Sequence, residues 1–172
     1  MSRAPPIRER LPADDAAIRG LNDAAFGGFY ESRLVQDLRE AGLAAVELVA
    51  DEANAIVGHI MLSALSVTVD GHAVRALALA PMCVRPDRQR GGIGSTLVRR
   101  GLERAHHDGW QAVLVLGHAD YYPRFGFSAA LARRLKAPFA GTSFMALELV
   151  SDALGGAQGR VVYPPPFGLD KP

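Results

Sequence analysis

Lysine is nearly missing from this chain. Of 19 basic residues only Lys136 and Lys171 are lysine, and 18 acidic residues leave a formal net charge of +1. A surface that follows a nucleic-acid backbone shows itself as a strong basic excess, so this balance argues against a nucleic-acid partner. The arginines are spread along the chain and form no single patch. Cysteine is scarcer still: Cys83 stands alone, which excludes an intramolecular disulfide and any site built from several thiolates. Its place inside an apolar run reads as a buried, inert thiol. No segment approaches the roughly 20 apolar residues of a membrane span. Met1 to Arg10 carries three arginines and two prolines with no apolar stretch after them, unlike a secretory leader. The expectation is a cytoplasmic protein with no membrane partner.

What is present is a globular composition. At 172 residues, 49% hydrophobic and 22% charged, residues 1–172 read as a single domain able to bury a real core. Ile7 to Arg10 reads as a first strand, and Pro12-Ala13-Asp14-Asp15 as a turn and N-cap. The helix that follows is predicted to bury Ile18, Leu21, Ala25 and Phe26, and Gly27-Gly28 stops it. A second helix over Glu31 to Ala41 buries Leu34, Val35 and Leu38. Val46 to Ala50 and Ile56 to Val69 read as strands, and Asp70-Gly71 as a hairpin turn into the next. Ala112 to Leu116, Phe144 to Val150 and Val161 to Tyr163 complete the strands. The fold class is α+β, a mixed and mostly antiparallel sheet of six or seven strands with helices on both faces and one parallel strand–helix–strand crossover.

The crossover holds the most informative stretch, Val84 to Gly94. An apolar strand, Ala76 to Val84, ends there, and a helix begins whose Ile93, Leu97, Val98, Leu102 and Ala105 recur at helical spacing. A helix start leaves amide hydrogens without intrahelical acceptors and carries partial positive charge, so it suits an anion, and glycines let that anion approach. A Walker loop needs a Gly-Lys-Ser/Thr ending, which is absent. A dinucleotide loop needs a third glycine, but Gly92-Ile93-Gly94 is followed by Ser95-Thr96-Leu97. What stands is Gln89-Arg90-Gly91-Gly92-Ile93-Gly94, of the form Gln/Arg-x-x-Gly-x-Gly/Ala.

On these residues the chain resembles the GCN5-related N-acetyltransferase (GNAT) superfamily, and within it a subgroup of predicted bacterial acetyltransferases. The likeness runs through the acidic-capped first helix, Gly58-His59-Ile60, Val84 to Gly94, Tyr121 to Phe127, Phe144 to Leu149 and Tyr163-Pro164-Pro165. It implies the GNAT fold, acetyl-CoA as co-substrate and no metal. It further implies a coenzyme A pyrophosphate held by Gln89, Arg90, Gly91, Gly92, Ile93, Gly94 and Ser95, with the pantetheine arm along Met82, Cys83 and Val84 and beside Phe125. Tyr122, four residues before Gly126, is the implied proton donor to the leaving thiolate. A phenol with pKa of about 10 is neutral at physiological pH and well matched to a thiol.

Many members carry a glutamate as base on the strand entering the turn, but Ala76-Leu77-Ala78-Leu79-Ala80 has none. Water alone, or one of Glu31, His118 and Asp120, must take the proton, and each of these three side chains reads more readily as a solvated or capping residue. His59, inside a strand, reads as a satisfied core histidine, and His106-His107 as helix-end cations. The implied activity is acetyl transfer to a primary amine of a small molecule or a protein, with a homodimer as a further expectation. The missing strand glutamate keeps a non-catalytic acyl-CoA sensor open.

Overall fold

The computed structural model describes residues 4–169. Residues 1–3, part of the N-terminal stretch weighed above as a leader, and 170–172, with Lys171, lie outside the described residues. In chain order the elements are β1 (Ile7–Glu9), α1 (Asp15–Phe26), α2 (Tyr30–Glu40), β2 (Ala44–Glu52), β3 (Ala55–Val69), β4 (His72–Val84), α3 (Ile93–His107), β5 (Ala112–Leu116), α4 (Ala129–Ala132), β6 (Leu135–Lys136), β7 (Phe144–Glu148) and β8 (Gly159–Val162). The strands run in the order β1-β2-β3-β4-β5-β7, with β8 on β3 and β6 on β8. Pairing is antiparallel for β1 with β2, β3 with β8 and β5 with β7. It is parallel for β4 with β5, from Ala76 opposite Ala112 to Leu79 opposite Val115, and for the short β6 with β8. The mixed, mostly antiparallel sheet with a parallel β4–α3–β5 crossover is as expected, and the parallel β6–β8 pair is an addition to it. The strand beyond the expected number is the two-residue β6, too short to leave a periodic signal.

Two compact units divide the chain, one holding residues up to Leu62 with Pro81–Arg104, the other Ser63–Ala80 with everything from Ala105. In the first unit β3 is buried continuously from Val57 to Leu62. Successive strand residues face opposite sides, so such a run requires cover on both. Gly58 and His59 supply the proof. A Cβ at Gly58 would lie 2.9 Å from Leu97 and 3.0 Å from Ile93 of α3. His59, the next residue, meets Asn22 of α1 at 3.2 Å on the other side. The glycine thus sets how closely α3 seats on the strands.

Two local expectations are corrected here. Asp14 does not cap α1 with its side chain; it accepts from the Leu11 N–H at 2.7 Å and from the Arg8 guanidinium at 2.8 Å. Arg8 holds the Asp14 carboxylate down at about 2. Phe26, expected in the core, is 44% exposed. The buried stripe of α1 runs Ile18, Leu21, Asn22, and the helix ends one turn later at Gly27, whose φ of +70° turns the chain away. Helix α2 buries Leu34, Val35 and Leu38 as its spacing predicts.

The second unit contains the parallel β4–β5 register and the β5–β7 and β3–β8 pairs. A chain of rings, Phe144, Phe139, Tyr163 and Phe167, packs edge-on or tilted at centroid spacings of 5.1–5.9 Å and fills part of its core. Among the described residues no helix is long and apolar enough to cross a membrane.

Candidate functional site

Residues of the first unit brace the turn between β4 and α3. The Arg85 N–H donates to Val57 O at 2.8 Å, the Gln89 side chain donates to Val84 O at 3.1 Å, and Arg88 pairs with Glu52. Gln89, expected at the ligand, has its amide engaged in holding the turn. Arg90 and Gly92 then take positive φ angles of +68° and +89°. Left-handed backbone is permissive for glycine and strained for other residues, so Gly92 meets a conformational demand there. Thr96 N–H bonds back to Gly92 O at 3.0 Å, which starts the helical ladder of α3. The first amides of any helix precede its ladder and find no acceptor within the helix. Gly91 and Gly92 are exposed, so backbone donors at this helix start are approachable from solvent.

Upstream of the turn, Cys83 and Val84 are buried and Met82 is half-buried. Burial first, and the charge of Glu31 second, push the Cys83 thiol up to about 12, which makes it inert at neutral pH. Glu31, whose charge reaches that thiol, lies in the first turn of α2. Its Oε2 is buried and accepts no hydrogen bond. Of the three candidate bases, Glu31 alone combines burial with an unpartnered acceptor, since His118 and Asp120 are exposed.

His59 is the satisfied core histidine that its strand position suggests. Asn22 Nδ2 donates both to Ile18 O at 2.9 Å and to His59 Nδ1 at 3.2 Å. That leaves the proton on Nε2, which donates to Glu47 at 2.8 Å. Glu47 also receives two bonds from Arg39, at 3.0 and 2.5 Å, and Arg39 reaches on to Asp15, which Arg10 holds at 2.6 Å. Burial would raise the Glu47 pKa, but His59 and Arg39 outweigh it and hold the carboxylate at about 2. Burial keeps His59 below its ordinary value. Sequence reasoning missed Glu47, Arg39 and Asn22. Asn22, a polar residue on the apolar stripe of α1, was the available signal. Clefts of about 350 and 440 Å³ open beside this ladder. Arg10, Asp15, Arg39 and Glu47, which line them, are already paired with one another.

In the second unit Tyr122 lies buried against Tyr121 and Phe127, with centroids 5.1 and 5.7 Å away, and beside Phe125 at 6.3 Å. Burial, then Tyr121, push its phenol up to about 12. A Cβ on Gly117 would stand 2.4 Å from the Tyr122 ring, so the absence of a side chain there makes room for it. Gly126 closes the segment with φ +101°.

The family model for the acetyltransferase (GNAT) domain matches residues 10–130. The uncharacterized N-acetyltransferase YhbS of Escherichia coli K12 is 34% identical over 160 residues, 91% of this chain and 95% of that protein. The crystal structure of E. coli YhbS in complex with CoA superimposes with a TM-score of 0.88 at 32% identity, over 98% of this chain and 94% of that one. A GNAT-family acetyltransferase from Brucella melitensis, solved with acetyl-CoA, gives 0.78 at 34% identity, over 94% and 97%. A glycine turn at a helix start, a mixed sheet with one parallel crossover and these likenesses agree: the chain belongs to the GNAT acetyltransferase family.

Proposed function

We propose that the protein transfers the acetyl group of acetyl-CoA to a primary amine by direct attack, with both substrates bound at once. The observation that carries this reading is the β4–α3 turn, where left-handed backbone at Arg90 and Gly92 frames the exposed Gly91 and Gly92 at the start of α3. Donors of that kind suit a diphosphate, and two similar proteins were solved with CoA and acetyl-CoA. Backbone groups of Arg90 to Ser95 hold the diphosphate, and Met82 to Val84 offer main-chain contacts to the pantetheine arm.

The reaction forms an amide C–N bond and breaks a thioester C–S bond, so the amine must lose a proton and the thiolate must gain one. Glu31 takes the first proton. Its unpartnered buried oxygen supports that role over the exposed His118. Tyr122 supplies the second proton, and its raised pKa keeps the phenol protonated well beyond neutral pH. No metal is needed in this scheme. The acceptor is a small molecule or a protein amine.

The test is thiol release. Incubation with acetyl-CoA and a panel of amines liberates CoA above the hydrolytic background if the reading holds. Tight acetyl-CoA binding with no amine-dependent release would instead make the protein an acyl-CoA sensor. Gly92→Val, which forces a β-branched residue to φ +89°, abolishes acetyl-CoA binding by calorimetry while the circular dichroism spectrum is retained. Retained affinity would move the site elsewhere.

A further inference from the structure

The junction of α1 and α2 shows two features that the proposed chemistry leaves partly unused. The first is polar. Three of the buried side-chain atoms without a hydrogen-bond partner are acceptor oxygens on this helix pair: Asn22 Oδ1, Asp23 Oδ1 and Glu31 Oε2. Two of these residues are formally anionic, and no orphaned donor accompanies them on the pair. The second feature is apolar. Phe26 is 44% exposed, Phe29 71% and Tyr30 56%, three rings within five residues of chain. Large apolar side chains left in solvent so densely mark a surface that receives something flat and apolar. Gly27 and Gly28 lie between them and carry no side chain that would cover the rings.

Glu31 joins the two features. It follows Tyr30 directly, and its charge is felt both at the Tyr30 hydroxyl and at the Cys83 thiol, at the end of the strand that precedes the glycine turn. A cation bound to its free oxygen therefore sits at the residue that adjoins the aromatic run. Building on the transferase reading above, we propose that this corner is the acceptor subsite and that its substrate is an arylalkylamine. The ammonium docks on Glu31 Oε2 and gives one proton to solvent; the neutral amine then attacks the thioester carbonyl and passes its second proton to Glu31, while the ring lies against Phe29 and Tyr30. A diamine would satisfy the carboxylates but leave three rings in water. A simple alkylamine would make the charge contact and lose the ring contact.

Four acceptors decide this: phenethylamine, n-butylamine, putrescine and a lysine peptide with blocked termini. Each is assayed by thiol release with saturating acetyl-CoA and, independently of turnover, by saturation-transfer NMR on the protein–CoA complex. The expected kcat/KM for phenethylamine exceeds that for n-butylamine by about tenfold, the worth of partly burying one ring. Phe29→Ala, a change at a largely exposed residue that leaves the core intact, brings that ratio to about two or less and raises KM more than it lowers kcat. Thiol release with putrescine or the peptide but not with phenethylamine overturns this inference and leaves the transferase reading standing. Absent acetyl-CoA binding removes the transferase reading, and phenethylamine contact to the aromatic run in the NMR arm, run without CoA, still decides the subsite. Rings that mediate a concentration-dependent dimer, dissolved by Phe29→Ala with amine selectivity unchanged, would assign the surface to a second copy of this chain and overturn the proposal.

Discussion

Glu47 and Glu31 are two carboxylates packed inside the same unit, and they are opposites. Glu47 takes two bonds from Arg39 and one from His59, and is held ionised down to about pH 2. Glu31 keeps one buried oxygen with no donor at all. A carboxylate saturated by two cationic or polar partners has no capacity left for a substrate proton, and losing it strands the partners. A carboxylate with an idle oxygen contributes little to the fold and can take a proton when one is offered. His59 falls on the Glu47 side of this division. Its Nδ1 faces an amide NH₂ that Ile18 O fixes as a donor, so a second ring proton would face another donor. Burial and polarity alone do not set the two carboxylates apart; the unpartnered oxygen of Glu31 does.

The largest effect expected from this contrast is on stability. Glu47→Ala leaves Arg39 and His59 without their shared acceptor and should cost about 3–5 kcal/mol, read as a lowered urea midpoint. Glu31→Gln should cost less than about 1 kcal/mol of stability by the same measurement while lowering turnover about a hundredfold. A Glu31→Gln protein that unfolds as readily as Glu47→Ala, or turns over like wild type, would erase the distinction. Next comes Tyr122→Phe, which preserves the buried ring and removes only the hydroxyl. Turnover should fall about tenfold with acetyl-CoA affinity nearly intact, and unchanged turnover would remove the acid role. The smallest effect is on the pH dependence of folding. His59 has a native pKa below its usual 6.5, so on acidification the unfolded chain takes up a proton that the native state refuses. Stability therefore declines below pH 6.5, by at most about 1.4 kcal/mol per pH unit for this one group. Glu47 adds to the decline as pH drops from its ordinary 4.5 toward its native value of about 2. His59→Gln should flatten the upper part of the urea-midpoint profile and leave the lower part in place.

Much of this was legible from spacing. Ile93, Leu97 and Val98 announce α3, the apolar Ala112–Leu116 run announces a doubly covered strand, and the glycines between Val84 and Ser95 announce a turn that an anion can approach. These signals are local: each comes from a period or a backbone requirement contained in a dozen residues. What stayed hidden is set by distance along the chain. Glu47 finds His59 across a hairpin and Asn22 meets His59 over 37 positions, and neither pairing leaves a periodic trace. Phe26 satisfied the helical stripe and is exposed all the same, because a period says which face a residue is on and not where the cover ends. For the site, the glycine turn was readable and the ranking of Glu31 over His118 was not. That ranking depends on which oxygen lacks a donor, a property of three-dimensional neighbours.

Gly58 carries a consequence for anyone tuning this molecule. A single methyl at that position would press on Leu97 and Ile93 from 2.9 and 3.0 Å and on Ala50 from 3.2 Å, and Ile93 is the opening residue of α3. The wedge would act on the helix's seat, tilting the fan of amides at its tip by tenths of an ångström. On the proposed reading, the grip on a diphosphate would thus be tuned from beneath the floor, through the seat of the helix.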